Sequence, residues 1–141
     1  MNNVNTDPQV PGRVDGRLEI LVVDDDPGIT HIIGQALEVQ GHRVTSASDG
    51  RAAERATKAT AFDVVITDIL MPGKDGYELI SALRKQDSAT RIIAMSGGGR
   101  AWGDHYLKLA RGLGAHAVLA KPFTQSELTA TLDAVFASPQ S

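Results

Sequence analysis

Three aspartates, a serine and a lysine stand out because each follows a short apolar run. Asp24 and Asp25 follow Ile20–Val23, Asp68 follows Val64–Thr67, Ser96 follows Ile92–Met95, and Lys121 comes just beyond Ala117–Leu119. If these runs are neighbouring strands, three carboxylates crowd one small site, flanked by a hydroxyl and an ammonium. Like charges held this close repel, so an isolated acidic cluster costs stability. A hard divalent cation with oxygen ligands relieves it. Mg2+ (or Mn2+) suits a site that offers few carboxylates and several waters.

The elements that must position these residues are legible in the hydropathy pattern. A fifth run, Val44–Ala47, completes a set of β-branched, nearly continuous segments of the kind found in parallel strands buried on both faces. Five helical patterns alternate with them. The first places Ile29, Ile32, Ile33, Ala36 and Leu37 on one stripe and stops at Gly41; the second, after Gly50, uses Ala52, Ala53, Ala56 and Ala59. The third carries Leu79, Ile80 and Leu83, and the fourth Tyr106, Leu107, Ala110 and Leu113, ending near Gly114. The last opens on the capping box Thr124-Gln125-Ser126-Glu127 and buries Leu128, Leu132, Val135 and Phe136. The expected fold class is therefore α/β: a (βα)5 doubly wound parallel five-stranded sheet with right-handed crossovers. Ligands of such sheets bind beyond the carboxyl ends of the strands, where the strand order reverses. The five polar residues lie at those ends.

Length and composition narrow the function further. The 141 residues suit one domain, 42% apolar but only 4% aromatic, with no cysteine for disulfides, thiolate metal sites or cysteine nucleophiles. A net charge of −3 argues against a general nucleic-acid binder. The apolar runs are too short to span a membrane, and the polar N-terminus has no secretory h-region. Residues 1–17 read as a disordered arm (an ordered cap being the alternative), 18–136 as the folded domain and 137–141 as a short tail. A cytoplasmic location is expected.

The stretches Ile20-Leu21-Val22-Val23-Asp24-Asp25-Asp26, Ile66-Thr67-Asp68-Ile69-Leu70-Met71-Pro72-Gly73-Lys74-Asp75-Gly76, Met95-Ser96-Gly97 and Leu119-Ala120-Lys121-Pro122-Phe123 resemble the receiver domain of bacterial two-component response regulators. The resemblance implies the flavodoxin/CheY-like strand order 2-1-3-4-5. It implies that Asp68 is the phosphoacceptor, attacking a phosphohistidine on a partner histidine kinase or phosphotransfer protein. Asp25 would ligate Mg2+ directly, Asp24 mostly through water, and the carbonyl of Leu70 would be a further ligand. Lys121 would contact the phosphoryl group, Ser96 would supply the switch hydroxyl, and Lys121–Pro122 would be a cis peptide. The chain would then be a signalling phosphoacceptor rather than an enzyme. It would be a monomer or phosphorylation-dependent dimer, acting on a downstream protein without binding DNA or membrane itself. With the domain filling residues 18–136, and if the chain is not cut from a longer protein, the expected output is binding: a phosphorylation-controlled surface offered to another protein, or a way station in a phosphorelay.

Several residues have simpler readings. Asp26-Pro27 looks like a helix N-cap followed by proline at N1, and Asp75-Gly76 like turn chemistry. Gly97-Gly98-Gly99 lacks a following Gly-Lys-Ser/Thr and reads as a hinge; His31, His42, His105 and His116 show no metal spacing and read as surface or helix-end residues. Trp102 is a partner contact, a lid or a packed loop anchor. Val118 stands where the family commonly has an aromatic switch, and the segment from Ser96 to Tyr106 looks longer than usual. Readout is therefore expected in that segment, and apolar Leu70 is expected to slow hydrolysis of the acyl phosphate. Rival readings are a phosphorylation-independent interaction domain, a haloacid-dehalogenase-type phosphatase using Asp24 as nucleophile, and a serine hydrolase built on Ser96, Asp104 and His116.

Overall fold

A computed structural model describes residues 16–69, 76–86, 89–96, 108 and 110–137. Strands β1 (Glu19–Val23), β2 (Arg43–Ala47), β3 (Val64–Asp68), β4 (Arg91–Ser96) and β5 (Ala117–Ala120) form one sheet. Its order is β2-β1-β3-β4-β5, and every pairing is parallel. Each strand begins and ends within one residue of its expected bounds.

Helices α1 (Pro27–Val39), α2 (Gly50–Ala59), α3 (Gly76–Gln86) and a C-terminal helix (Gln125–Ala137) connect and flank the strands; Lys108 and Ala110–Leu113 are also helical. Alternation along the strands sends side chains to two cores. Ile20, Val22, Ile66, Ile93 and Met95 pack with Ile33, Leu37, Leu128 and Leu132 of α1 and the C-terminal helix. Leu21, Val23, Val65, Ile92 and Ala94 pack on the other face with Ala53, Leu79, Ile80, Leu83 and Ala110. The largest of these are fully buried, a contribution of about 1.5–3 kcal/mol apiece. This is the doubly wound arrangement expected from the alternation.

Burial on both faces holds for β1, β3 and β4 but not at the edges. In β2 Arg43, Thr45 and Ser46 are exposed, and β5 is only partly covered. An edge strand has a neighbour on one side only, so β-branched character there reports strand propensity rather than full burial.

The helix stripes also shift. On α1 the buried face is Thr30, Ile33, Gly34 and Leu37, while Ile32 is 65% exposed. Ile32 lies about 100° around the helix from Ile33, on the side away from Thr30. Thr30 can be buried because its hydroxyl donates to the Pro27 carbonyl. Ala59 and Leu113, expected in stripes, are likewise exposed. The capping readings hold. The Asp26 carboxylate accepts the Gly28 N–H at 2.9 Å with Pro27 opening α1, and Thr124 and Glu127 exchange side-chain and backbone hydrogen bonds. Asp49 caps α2 in the same way through the Ala52 N–H.

Candidate functional site

The order β2-β1-β3 makes β1 and β3 neighbours, and beyond their carboxyl ends the chains diverge. Asp24 leaves β1 toward β2, its N–H donating to the Ala47 carbonyl, whereas Ile69 leaves β3 toward β4, donating to Met95. The crevice between them collects the polar residues. One carboxylate oxygen from each of Asp24, Asp25 and Asp68 lies within 4.8 Å of the others. Asp24 and Asp68 are buried and Asp25 is exposed.

Lys121 reaches this cluster from β5. Its Nζ lies 2.5 Å from Asp24 Oδ2 and 3.6 Å from Asp68 Oδ2. Its position is set by its backbone, whose N–H donates to the Ser96 carbonyl at 2.8 Å, and by a cis Lys121–Pro122 bond as the resemblance implied. The other Asp24 oxygen accepts the Asp26 N–H at 2.9 Å. Both oxygens of Asp24 are thus engaged by the protein, and the residue is 1% exposed.

Ser96 closes β4 beside the cluster. Its hydroxyl is buried, and among the described residues it has no hydrogen-bond partner. Leaving such a group unsatisfied costs about 1–3 kcal/mol, so it marks a place where a ligand oxygen belongs. The donor set of three carboxylates and a hydroxyl is all oxygen, and among the described residues the one ammonium paired with it, that of Lys121, does not balance three acids. These residues fit a hard divalent cation.

All five expected side-chain positions, Asp24, Asp25, Asp68, Ser96 and Lys121, therefore lie at the carboxyl edge of the sheet. Leu70, Asp75, Gly97 to Gly99, Trp102 and Asp104 fall outside the described residues. Val118 is partly buried against the α2/α3 core.

Two rival readings lose their geometry. Asp24, buried and doubly hydrogen-bonded, is poorly placed as a nucleophile. His116 precedes β5 at the opposite edge of the sheet from Ser96, and its Nδ1 accepts the Ile92 N–H at 3.0 Å. His42 accepts the Leu18 N–H at 3.1 Å in a similar way. Both are half-buried strand clamps rather than plain surface or helix-end residues. Burial lowers the His42 pKa from its ordinary value. Burial first, then the charges of Arg84 and Arg91, lowers that of His116 to about 4.

Sequence reasoning missed Gly76. A Cβ there would collide with the Asp68 carbonyl oxygen and would lie 2.5 Å from Ile69 Cα. Its N–H donates to the Ile69 carbonyl at 2.8 Å. The glycine lets the start of α3 rest directly on the backbone that carries Asp68. A glycine at a helix start beside a turn residue was the available signal, and it read equally well as an ordinary turn.

A family model described as the response regulator receiver domain matches residues 20–133. The chain is 38% identical over 128 residues to the transcriptional regulatory protein TcrA of Mycobacterium tuberculosis, covering 89% of this chain and 49% of that protein. It is 36% identical over 115 residues to the transcriptional regulatory protein FixJ of Bradyrhizobium diazoefficiens, covering 81% of this chain and 54% of that protein. It thus spans about half the length of these curated relatives. Among solved structures it is similar to the chemotaxis protein CheY4 of Vibrio cholerae, with TM-score 0.76 and 30% identity over 85% of this chain and 99% of that one.

Proposed function

The chain belongs to the response regulator receiver domain family, and from that premise we propose that it accepts a phosphoryl group on Asp68 from the phosphohistidine of a histidine kinase or phosphotransfer protein. The observation that carries this reading is the convergence of Asp24, Asp25 and Asp68 with Lys121 and the buried hydroxyl of Ser96 at one edge of the sheet.

An Asp68 oxygen forms a bond to phosphorus as the P–N bond to the donor imidazole breaks. The electron pair leaves with the imidazole, which is protonated at its other ring nitrogen and so departs as neutral imidazole. Phosphoryl transfer asks a protein mainly for positioning and charge stabilisation. Mg2+, when bound, neutralises the phosphoryl oxygens and the attacking carboxylate. Asp25 and Asp68 would hold it directly through their carboxylates. Asp24, with both oxygens already engaged, acts through water and holds Lys121. The Lys121 ammonium leaves Asp24 for the phosphoryl oxygens once they arrive. Ser96 donates its hydroxyl to a third oxygen, drawing the end of β4 toward the modified residue. This movement is the switch read by a downstream protein.

Incubation with acetyl phosphate and Mg2+ tests the reading. A single phosphoryl group is expected on the wild-type chain and none on Asp68→Asn or without the metal. Label persisting in Asp68→Asn would exclude Asp68 as the acceptor.

A further inference from the structure

Thr67 is a hydroxyl residue in the middle strand of the sheet, fully buried, at a position where its neighbours Val64, Val65 and Ile66 are all apolar. Its register partners are Val23 on β1 and Ala94 on β4. The hydroxyl donates to the carbonyl of the next residue, Asp68, at 2.8 Å.

The direction of that carbonyl explains the bond. The Ile69 N–H of the same peptide points to β4, donating to Met95 at 3.0 Å. In a trans peptide the carbonyl points the opposite way, toward the β1 side. There the β1–β3 pairing has already ended at Val23↔Thr67, and Asp24 has turned away to β2. Gly76 rests against the same carbonyl oxygen from α3. The Asp68–Ile69 peptide is therefore held on one side by Met95 and on the other by Thr67. The orientation of this peptide plane sets the ψ angle of Asp68 and so the direction from which its carboxylate leaves the backbone.

We propose that Thr67 is a positioning residue for phosphoryl transfer to Asp68. By fixing the Asp68–Ile69 peptide, its hydroxyl keeps the acceptor carboxylate aligned with Asp25 and Lys121. This inference rests on the reading of Asp68 as phosphoacceptor. Removing the hydroxyl takes away one of the contacts that fix this peptide. Small misplacements of reacting groups are expensive, so a roughly tenfold loss in the transfer step is expected.

Thr67→Val removes the hydroxyl at nearly constant shape, and Thr67→Ser keeps it. Phosphorylation by acetyl phosphate is followed over donor concentration at saturating Mg2+, below the thermal midpoint of each variant. In Thr67→Val the saturating rate constant falls about tenfold with little change in half-saturation, and in Thr67→Ser it stays near wild type. Should Thr67→Val fail to fold, Thr67→Ser and Thr67→Ala form a second pair that differs only in the hydroxyl. A purely structural Thr67 moves the thermal midpoint but not the rate constant of the folded protein. Equal rate constants within either pair, on a chain whose wild type is labelled at Asp68, overturn the proposal. An unlabelled wild type instead overturns the phosphoacceptor reading beneath it.

Discussion

The two edges of the sheet treat polar groups in opposite ways. At the amino edge, residues just ahead of strands clamp the neighbouring strand. His42, before β2, accepts the Leu18 N–H, and Asp63, before β3, accepts the Glu19 N–H at 2.8 Å. His116, before β5, accepts the Ile92 N–H and returns its own N–H to the Ile92 carbonyl. Thr90, before β4, donates to the Phe62 carbonyl, and Arg91 donates to the Val135 carbonyl while its guanidinium lies over the Phe136 ring. At the carboxyl edge three carboxylates converge, two of them, Asp24 and Asp68, on the Lys121 ammonium, and the buried Ser96 hydroxyl goes without a partner among the described residues. At the amino edge these side chains tie neighbouring strands and the C-terminal helix together. The carboxyl edge instead gathers like charges in one place, which suits the proposed site for a dication and a phosphoryl group.

The sharpest test of this contrast is Asp68→Asn. It should lose labelling entirely while its thermal midpoint stays at or above that of the wild type, since a charge leaves a crowded cluster. A large loss of stability would show that the carboxyl edge also holds the fold together. Mg2+ should raise the midpoint of the wild-type chain, by about 2.7 kcal/mol of added stability at a hundredfold excess over its dissociation constant. A calorimetric scan with and without the metal measures this. Asp25→Ala should abolish the increase.

At the amino edge, His116→Ala should cost about 1–3 kcal/mol in urea unfolding, because the buried Ile92 N–H loses its acceptor. His116→Gln, whose amide oxygen can accept the same N–H, should recover part of it. Protonation should act in the same direction as His116→Ala. The folded protein resists charging His116, so between pH 6.5 and about 4 the unfolded chain binds more protons. The stabilising contribution is full above about pH 6.5 and is lost as pH falls through that window; His42, shifted the same way, adds to it. Stability against pH should slope less steeply in His116→Gln. An unchanged slope would remove His116 from the account. The smallest effect is expected for Asp25→Ala in metal-free protein, a gain of about 1 kcal/mol or less from relieved repulsion. A loss there would contradict the crowding of the carboxyl edge.

Much of the site was legible because a polar residue closing an apolar run is conspicuous. Asp24, Asp68, Ser96 and Lys121 each interrupt β-branched segments, and the helix caps Asp26 and Thr124 carry their own local chemistry. The clamps were not legible. His42 and His116 each accept an N–H from 24 residues away, and nothing in their local sequence indicates that partner. Thr67 read as one more β-branched strand residue, and Ile32 as one more apolar residue of a stripe, until the packing of α1 settled which side faces the sheet.

What the sequence determined by itself was therefore local: which segments are strands or helices, where they start, and which side chains end them. Hydropathy period and capping act over one or two turns, and those signals survive without tertiary context. Alternating strands and helices are compatible with several strand orders. The alternation left the strand order open and only the family resemblance supplied it; the tertiary structure sets β1 between β2 and β3, brings Lys121 to Asp24 across 97 residues of chain and leaves Ser96 without a partner among the described residues. The physical reason is that uncompensated charge and unmet hydrogen bonds are properties of neighbours in space. Only folding chooses those neighbours.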